Sequence, residues 1–350
     1  MHKRIFTWGS IILLLVLAAC GNGEGKSASG EGKEESGKLK IYTTLYPLQD
    51  FVERIGGEHV EVESILPAGA NPHTFEPTTK MMVELAKADA FIYNGANLEA
   101  YATKISESIE DEGVQILEAS NGVELLTHVH DHAEETQESE NHTEESHEEH
   151  GHEDEDKDEH EGESHKEEGH EGHDHGDEDP HVWLDPIRAI TLAENIKDQL
   201  VELDPDSKED FEANFEDLKE ELTELDQTFH SKLESADSNK ILVSHAAYGY
   251  WEKAYGIEQI AISGLSPTNE PSQKQLETII EKSKKNNINT ILFEQNVTPK
   301  VASVIQKEMN ADLKRIHNLS VLTKEDLEAD EDYFSLMNHN LEVLLDVLNN

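Results

Sequence analysis

A stretch of 52 residues, from His128 to Asp179, sets the strongest limit on how this chain can fold. It holds 12 of the 20 histidines, 24 acidic residues and 2 lysines, so its net charge is 2 − 24 = −22. Apolar side chains are almost absent from it. Such a segment cannot bury enough surface to offset its conformational entropy. We therefore predict that 128–179 is disordered without metal, and that the residues on either side build the fold.

The charge and cysteine content of the whole chain exclude several classes of protein. Its 350 residues include 28 basic and 76 acidic side chains, a net charge of −48. Nucleic-acid binding is excluded because phosphate recognition requires clustered positive charge. The single cysteine, Cys20, excludes a disulfide framework and a cysteine-based zinc finger. Without the acidic run and the N-terminal leader, an acidic globular chain of two-domain size remains.

The N-terminus has the features of a secreted, lipid-anchored protein. Residues 1–19 combine a basic start with a short apolar run, which predicts a signal peptide; a small membrane-anchor helix is the alternative. The sequence Leu-Ala-Ala-Cys-Gly at 17–21 resembles the lipobox of bacterial lipoproteins, in which the cysteine is acylated after cleavage. Residues 20–37 then form a flexible tether of about 20–25 Å reach. We predict a lipid anchor on Cys20 at the extracytoplasmic face of the cell membrane.

From residue 38 onward, short apolar runs alternate with helical patterns. Strands are predicted at 39–44, 60–65, 90–93, 114–117, 241–243, 259–262, 290–293 and 313–316. Helices are predicted at 48–55, 78–88, 98–109, 187–203, 207–236, 272–285, 299–309 and 333–348. Strands that are separated by helices indicate parallel sheets with helices packed on their faces.

The helix predicted at 207–236 divides the chain into two halves. Its apolar residues recur every three or four positions and lie on one stripe. One layer of a helical bundle is the alternative interpretation. Because strands and helices alternate again after it, we predict an α/β fold of two parallel-sheet lobes, 38–206 and 237–350. The long helix would join the two lobes.

Three histidines outside the acidic run stand where a ligand site is expected. His73 follows the strand that ends near Leu66, His181 leads into a helix, and His245 follows a predicted strand. Ligands of parallel α/β sheets collect beyond the carboxyl ends of the strands. Each histidine taken alone is better explained as structural. As a set, three neutral imidazoles suit Zn²⁺ better than Mg²⁺, Ca²⁺ or Mn²⁺, which prefer oxygen ligands.

Several motifs together resemble one transport family. They are the Cys20 lipobox, the acidic His-rich run, and the segments 71–77 (Asn-Pro-His-Thr-Phe-Glu-Pro), 94–99, 179–186 (Asp-Pro-His-Val-Trp-Leu-Asp-Pro), 244–250 (Ser-His-Ala-Ala-Tyr-Gly-Tyr) and 260–267. The chain resembles the zinc-specific solute-binding lipoproteins of ABC transporters (ZnuA/AdcA type). The resemblance implies zinc ligation by His73, His181 and His245 between two lobes. It also implies a monomeric, non-enzymatic receptor, with an ABC permease and its cytoplasmic ATPase as partners.

One position departs from that family. Many relatives supply a fourth, carboxylate ligand where this chain has Ser320. A water molecule, the neighbouring His317 or a residue of the acidic run is left for this position, and we favour water. The loss of a hard oxygen ligand favours Zn²⁺ over Mn²⁺. Carboxylates that orient the ligating imidazoles are expected as well, with Glu76, Asp185 and Glu294 as unranked candidates.

The acidic run offers further imidazoles within reach of one ion. The candidates for accessory sites are His128, His130, His132, His150, His152, His170, His173 and His175. Because a disordered chain loses entropy when it chelates, these sites are expected to be weaker than a preformed pocket. The run would collect or sense zinc; a solvated acidic spacer is the alternative.

These observations predict a membrane-tethered receptor that passes Zn²⁺ to an ABC permease. The alternatives are a Mn²⁺ or Fe²⁺ receptor of the same fold, a zinc-dependent hydrolase and a surface adhesin. Three histidines with a water also describe catalytic zinc, although the chain contains no His-Glu-x-x-His motif.

Overall fold

Two parallel sheets of four strands each form the framework of the protein. The computed structural model describes residues 37–127, 178–295 and 300–350. The first sheet has the order β2-β1-β3-β4 and the second the order β6-β5-β7-β8. The strands are β1 Leu39–Thr43, β2 Val60–Ser64, β3 Ala90–Tyr93, β4 Gln115–Glu118, β5 Lys240–His245, β6 Glu258–Ser263, β7 Thr290–Phe293 and β8 Asp312–Arg315. Every pairing is parallel, which confirms the predicted α/β class.

Helices cover the faces of both sheets. They are α1 Tyr46–Gly56, α2 Thr79–Leu85, α3 Ala100–Ile109, α4 Pro186–Leu203, α5 Lys208–Leu233, α6 Gly249–Tyr255, α7 Gln273–Lys285, α8 Lys300–Met309, α9 Lys324–Glu328 and α10 Tyr333–Leu348. The short helices α6 and α9 are absent from the sequence prediction. No helix in the described ranges is both long and apolar enough to cross a membrane.

The long helix α5 joins the two sheet-containing lobes. It is 26 residues long, about 39 Å, and therefore shorter than the predicted 207–236. A 3₁₀ turn, Pro205–Ser207, precedes it. The whole apolar stripe predicted for it is buried: Phe211, Phe215, Leu218, Leu222, Leu225, Phe229 and Leu233. The stripe packs against α1, α4, α6 and α10, so α5 contributes to both lobes.

One apolar core runs through both lobes and a second, smaller one lies on the outer face of the second sheet. Ile241 and Val243 point into the main core, whereas Leu242 between them points into the smaller one, because side chains alternate along a strand. The smaller core is closed by α7 and α8. The main core includes α1, α4, α5 and α10, and the described residues from 37 to 350 belong to one compact unit.

The last two residues of the predicted disordered insertion belong to the folded part. Glu178 pairs with Thr127 in an antiparallel bridge, and the amide of Asp179 donates to the carbonyl of Leu126 at 2.7 Å. The predicted boundary at 179 is therefore wrong by two residues. The predicted signal peptide, the Cys20 anchor and the eight accessory histidines of the acidic run lie outside the described residues.

Candidate metal centre

Three histidines meet beside the carboxyl ends of strands from both lobes. His73 lies in the loop after β2, His181 precedes a 3₁₀ turn at Val182–Leu184, and His245 ends β5. One nitrogen of each ring lies within 4.8 Å of the others, and the ring centroids are 5.2 to 6.1 Å apart. Within the described ranges, no other group of three or more His, Cys, Asp or Glu side chains has metal-ligand spacing. The structure thus brings together the three predicted ligands.

Two of the imidazoles are oriented by carboxylates behind them. The Nδ1 atom of His245 lies 2.6 Å from Oε2 of Glu294, and that of His181 lies 2.7 Å from Oδ1 of Asp179. A carboxylate accepts, so each Nδ1 carries the proton and each ring presents the lone pair of Nε2 to the centre. The two Nε2 atoms are 3.3 Å apart. Two lone pairs at this distance repel each other, and a cation bound between them would remove that repulsion.

Strand pairing places His245 next to its carboxylate. His245 ends β5, and Glu294 immediately follows the neighbouring strand β7. Both side chains are buried, and the Tyr248 hydroxyl donates to Oε1 of Glu294 at 3.2 Å. Burial, together with the charge of Glu294, raises the pKa of Tyr248 well above its ordinary value, so the hydroxyl keeps its proton and donates. The imidazole of His245 is therefore fixed before any metal binds.

Asp179 holds His181 at two points. Its Oδ1 atom accepts from the backbone amide of His181 at 3.0 Å as well as contacting the ring. The second lobe packs against this carboxylate at Gly249, where an added Cβ would lie 2.5 Å from Oδ2 of Asp179. The Tyr250 hydroxyl also donates to the Asp179 carbonyl at 2.7 Å. Asp179 thus positions a ligand of the first lobe through contacts with the second.

Hydrogen bonds across the lobes secure the turn that follows His181. The indole of Trp183 donates to the carbonyl of Asn318 at 2.8 Å. The carbonyls of Trp183 and Leu184 accept from Tyr333 and Trp251, each at 2.7 Å. Tyr333 and Trp251 are buried aromatic side chains of the second lobe. Because hydrogen bonds from the second lobe hold this turn of the first lobe in place, we infer that the site is largely preformed.

His73 lies on the open side of the site. Its side chain is half-buried, whereas those of His181 and His245 are buried. The amide of His73 donates to the side-chain oxygen of Asn71 at 3.0 Å, which folds the loop into a local turn. Earlier in the same loop, the amide of Gly69 donates to the carbonyl of Leu322 in the second lobe at 3.0 Å.

The weaker candidate ligand, His317, lies outside the trio and that prediction is wrong. Its Nδ1 accepts from the amide of Leu319 at 2.9 Å, and its Nε2 lies 3.1 Å from Asp326. The hydrogen bond with His317 holds the pKa of Asp326 below its ordinary value. Both ring nitrogens of His317 therefore form hydrogen bonds within the second lobe. Ser320 does line the site, and its hydroxyl donates to Oδ1 of Asn318 at 2.8 Å.

Of the three carboxylates proposed to orient the ligands, Glu294 alone does so. Asp185 instead caps α4 and forms an ion pair with Arg188 at 2.6 Å, and Glu76 is exposed. Sequence reasoning missed Asp179 because it ends the acidic run and was assigned to it. The sequence did contain one indication of this role, since Asp179 stands two residues before a candidate ligand.

The donor set fits zinc. Neutral imidazoles are ordinary zinc ligands, and the group contains no hard oxygen ligand of the kind that Mn²⁺ or Ca²⁺ prefers. The carboxylates of Asp179 and Glu294 each lie one hydrogen bond behind a ligand. Their two negative charges offset the two positive charges of a divalent ion. The arrangement is that of a buried binding site with one open side.

The chain is similar to proteins that are named for zinc binding and zinc uptake. The family model described as "Zinc-uptake complex component A periplasmic" (ZnuA) matches residues 41–347. The chain belongs to this family. A zinc-binding lipoprotein AdcA of Streptococcus pneumoniae is 35% identical over 98% of the chain, which spans 60% of that relative's length. The high-affinity zinc uptake system protein ZnuA of Bacillus subtilis is 32% identical, over 97% of this chain and 98% of that protein.

A solved structure shows the same fold. The Zn(II)-bound ZnuA-like domain of Streptococcus pneumoniae AdcA superposes with a TM-score of 0.67 at 33% identity, covering 90% of this chain and 100% of that one. The family membership accounts for the two lobes and the helix between them.

Proposed function

We propose that this protein is an extracytoplasmic receptor that binds Zn²⁺ and delivers it to an ABC permease for uptake. The observation that carries the proposal is the convergence of His73, His181 and His245 to within 4.8 Å between the two lobes. Relatives over nearly the whole chain are named for zinc binding and zinc uptake, which supports the same conclusion. The metal is the cargo of this protein.

The proposal extends to how the receptor is held and loaded. A lipid on Cys20 would keep it at the membrane, beside a permease that is driven by a cytoplasmic ATPase. The His-rich run would collect or sense zinc near the pocket. Release requires a state that binds zinc less tightly, because a partner shifts an equilibrium only through its differential affinity for two states. The half-exposed loop of His73 is the part of the site best placed to change.

A zinc hydrolase is disfavoured by the two buried carboxylates. A catalytic zinc site needs a base near the water that it activates. Asp179 and Glu294 are each hydrogen-bonded to the Nδ1 atom of a ligand, on the side of the ring away from the centre. The geometry therefore supports a binding role.

Zinc uptake by cells tests the proposal. In a strain from which the gene is deleted, the wild-type chain should restore uptake of radioactive zinc at low external concentration. His245→Ala should not, at equal protein abundance. Restoration by the triple variant lacking His73, His181 and His245 would contradict the proposal. Zinc-dependent hydrolytic turnover by the purified protein would favour the enzyme alternative, and restored uptake of Mn²⁺ alone would favour the manganese receptor.

A further inference from the structure

The loop 317–323 of the second lobe is bonded to both ligand-bearing segments of the first lobe. Three of its backbone carbonyls accept from the first lobe: Asn318 from the Trp183 indole at 2.8 Å, Leu322 from the Gly69 amide at 3.0 Å, and Ser320 from the Tyr46 amide at 3.0 Å. Trp183 stands two residues after the ligand His181, and Gly69 lies in the loop that carries His73. The conformation of this one loop therefore helps to fix the positions of two of the three ligands.

Leu319, in the middle of this loop, has a backbone conformation that leucine rarely adopts. Its φ is +60°, in the left-handed region, where the side chain of any residue except glycine is crowded by its own backbone. Such a conformation persists only when the surrounding contacts hold it in place. The side chain of Leu319 is fully buried, and its amide donates to Nδ1 of His317 at 2.9 Å. The ring of His317 is thus one of the contacts that keep the loop in this strained form.

His317 accepts the Leu319 amide only while its ring is neutral. On the other side of the ring, Nε2 lies 3.1 Å from Oδ2 of Asp326, which also accepts from the amide and the hydroxyl of Thr323 at 2.7 Å each. The hydrogen bond with His317, together with those from Thr323, lowers the pKa of Asp326, so this carboxylate is ionised and accepts. The proton of the neutral ring is therefore on Nε2, and Nδ1 presents its lone pair to Leu319. A second proton would occupy Nδ1 and abolish that hydrogen bond.

The contacts of His317 decide which group must move when the ring is protonated. The side chain of Asn340, an uncharged residue of α10, accepts from the His317 amide and donates to the His317 carbonyl, each at 2.7 Å. Asp326 of α9 forms the one ion pair that His317 has within the described ranges, and a positive ring is attracted to it. The backbone and the ring of His317 are thus held in place. The amide of Leu319 must turn away instead, and this releases its strained backbone.

We propose that neutral His317 is a positioning residue of the zinc site, and that its protonation releases the loop 317–323 and lowers zinc affinity in acid. The inference rests on the proposed function, because it concerns regulation of the same site. Protons also compete with zinc for the three ligands themselves. His317 adds a second acid-sensitive element, one that does not contact the metal.

Zinc competition with a chelator, measured on the full chain at about pH 8 and about pH 5.5 and corrected for protonation of the chelator, tests this inference. In His317→Asn the side-chain oxygen can still accept from the amide two residues on, but it does not titrate. This variant should bind zinc within about threefold of the wild type at the higher pH, and should lose at least about tenfold less affinity at the lower one. His317→Leu has no acceptor and should bind at least about tenfold more weakly at the higher pH. His339→Asn, at an exposed histidine of α10, is the matched control and should follow the wild type.

Three outcomes would overturn the inference. One is equal pH dependence of the wild type and His317→Asn, since the ligands alone would then account for the acid sensitivity. Another is wild-type affinity of His317→Leu at the higher pH, and a third is an affinity of His317→Asn as low as that of His317→Leu. If His317→Leu does not fold, the comparison of the wild type with His317→Asn decides. Failure of the proposed function would look different, because the wild type would then bind zinc no more tightly than His245→Ala.

Discussion

The two lobes share a strand order but use the same position for different chemistry. In each sheet the first strand of the lobe pairs with the third, and Thr43 is level with Ile92 as Val243 is with Leu292. His245, two residues beyond Val243, therefore corresponds to Leu45 in the first lobe. By the same register, Glu294 corresponds to Asn94.

Glu99 in the first lobe and Glu294 in the second are both buried near this edge. In the second lobe Glu294 contacts His245. In the first lobe Glu99 accepts from the Thr44 hydroxyl at 2.6 Å and from the amides of Asn94 and Gly95 at 2.9 and 3.1 Å. The fold thus supplies equivalent places, and the side chains decide which one holds a metal ligand. The first lobe contributes its ligands from loops instead, which leaves His73 half-exposed.

The largest effect is expected at the strand-end ligand. Zinc sites of four protein ligands release about 10–16 kcal/mol, so loss of one ligand costs about 3 kcal/mol. His245→Ala should weaken the tight site roughly 100-fold or more in competition with a chelator. His230→Ala, which removes an exposed histidine of α5, is the control and should leave the affinity unchanged. Equal losses of zinc affinity in the two variants would contradict the role of His245 as a zinc ligand.

The titration of Glu99 in the first lobe should make the free energy of unfolding depend on pH. Burial outweighs the three hydrogen bonds and raises the pKa of Glu99 from 4.5 to about 7. A raised carboxyl pKa means that the folded state binds the proton more tightly. Stability is then lost as pH rises through the interval from 4.5 to about 7, by up to about 3 kcal/mol.

Urea unfolding of the zinc-free protein at pH 5 and pH 8 measures this effect, with Glu99→Gln as the uncharged reference. The free energy of unfolding of the wild type should fall relative to the variant as pH rises. A difference between the two proteins that stays constant with pH would contradict the assigned titration.

Replacing either of the two carboxylates that orient the ligands should reduce zinc affinity less than replacing a ligand does. Loss of such a partner typically weakens metal affinity about 10- to 100-fold. We expect Glu294→Gln and Asp179→Asn each to fall in this range in the same zinc competition. Asp185→Asn, at a buried carboxylate that caps α4, is the matched control and should leave zinc affinity within about threefold. A fall in the control as large as in the two variants would mean that general destabilisation, and not ligand orientation, is responsible.

The smallest effect is expected where the second lobe touches Asp179. Gly249→Ala places a Cβ 2.5 Å from Oδ2 of Asp179, so the carboxylate must move. We expect zinc affinity to fall by up to about tenfold, or about 1.4 kcal/mol. In the background Asp179→Asn, the added loss should shrink, because the ligand has already lost its carboxylate. Fully additive losses would show that Gly249 acts elsewhere.

Periodicity in the sequence was sufficient for most of the framework. The strands at 90–93 and 290–293 and the helix at 333–348 have their predicted bounds, and the stripe of α5 is buried throughout. His245 was a candidate because it follows a predicted strand, whereas His73 lies in the loop after a strand and His181 leads into a helix. These features depend on local apolar pattern and on the geometry of parallel sheets, both of which a single sequence contains.

The remaining features depend on contacts between distant residues. Asp179 looked like the end of an acidic run, and only its burial against Gly249 and Tyr250 distinguishes it. His317 was a candidate by proximity to Ser320, but its pairing with Asp326 depends on the fold of the second lobe. The short helix α6 begins at a glycine, a residue that disfavours helices, and was therefore missed.

Diffraction from zinc-loaded crystals of the full chain, recorded on both sides of the zinc absorption edge, tests the central claim most directly. We predict one anomalous peak about 2.0–2.1 Å from a nitrogen of each of His73, His181 and His245. An anomalous peak at other side chains, with the three imidazoles turned apart around an empty centre, would contradict the account.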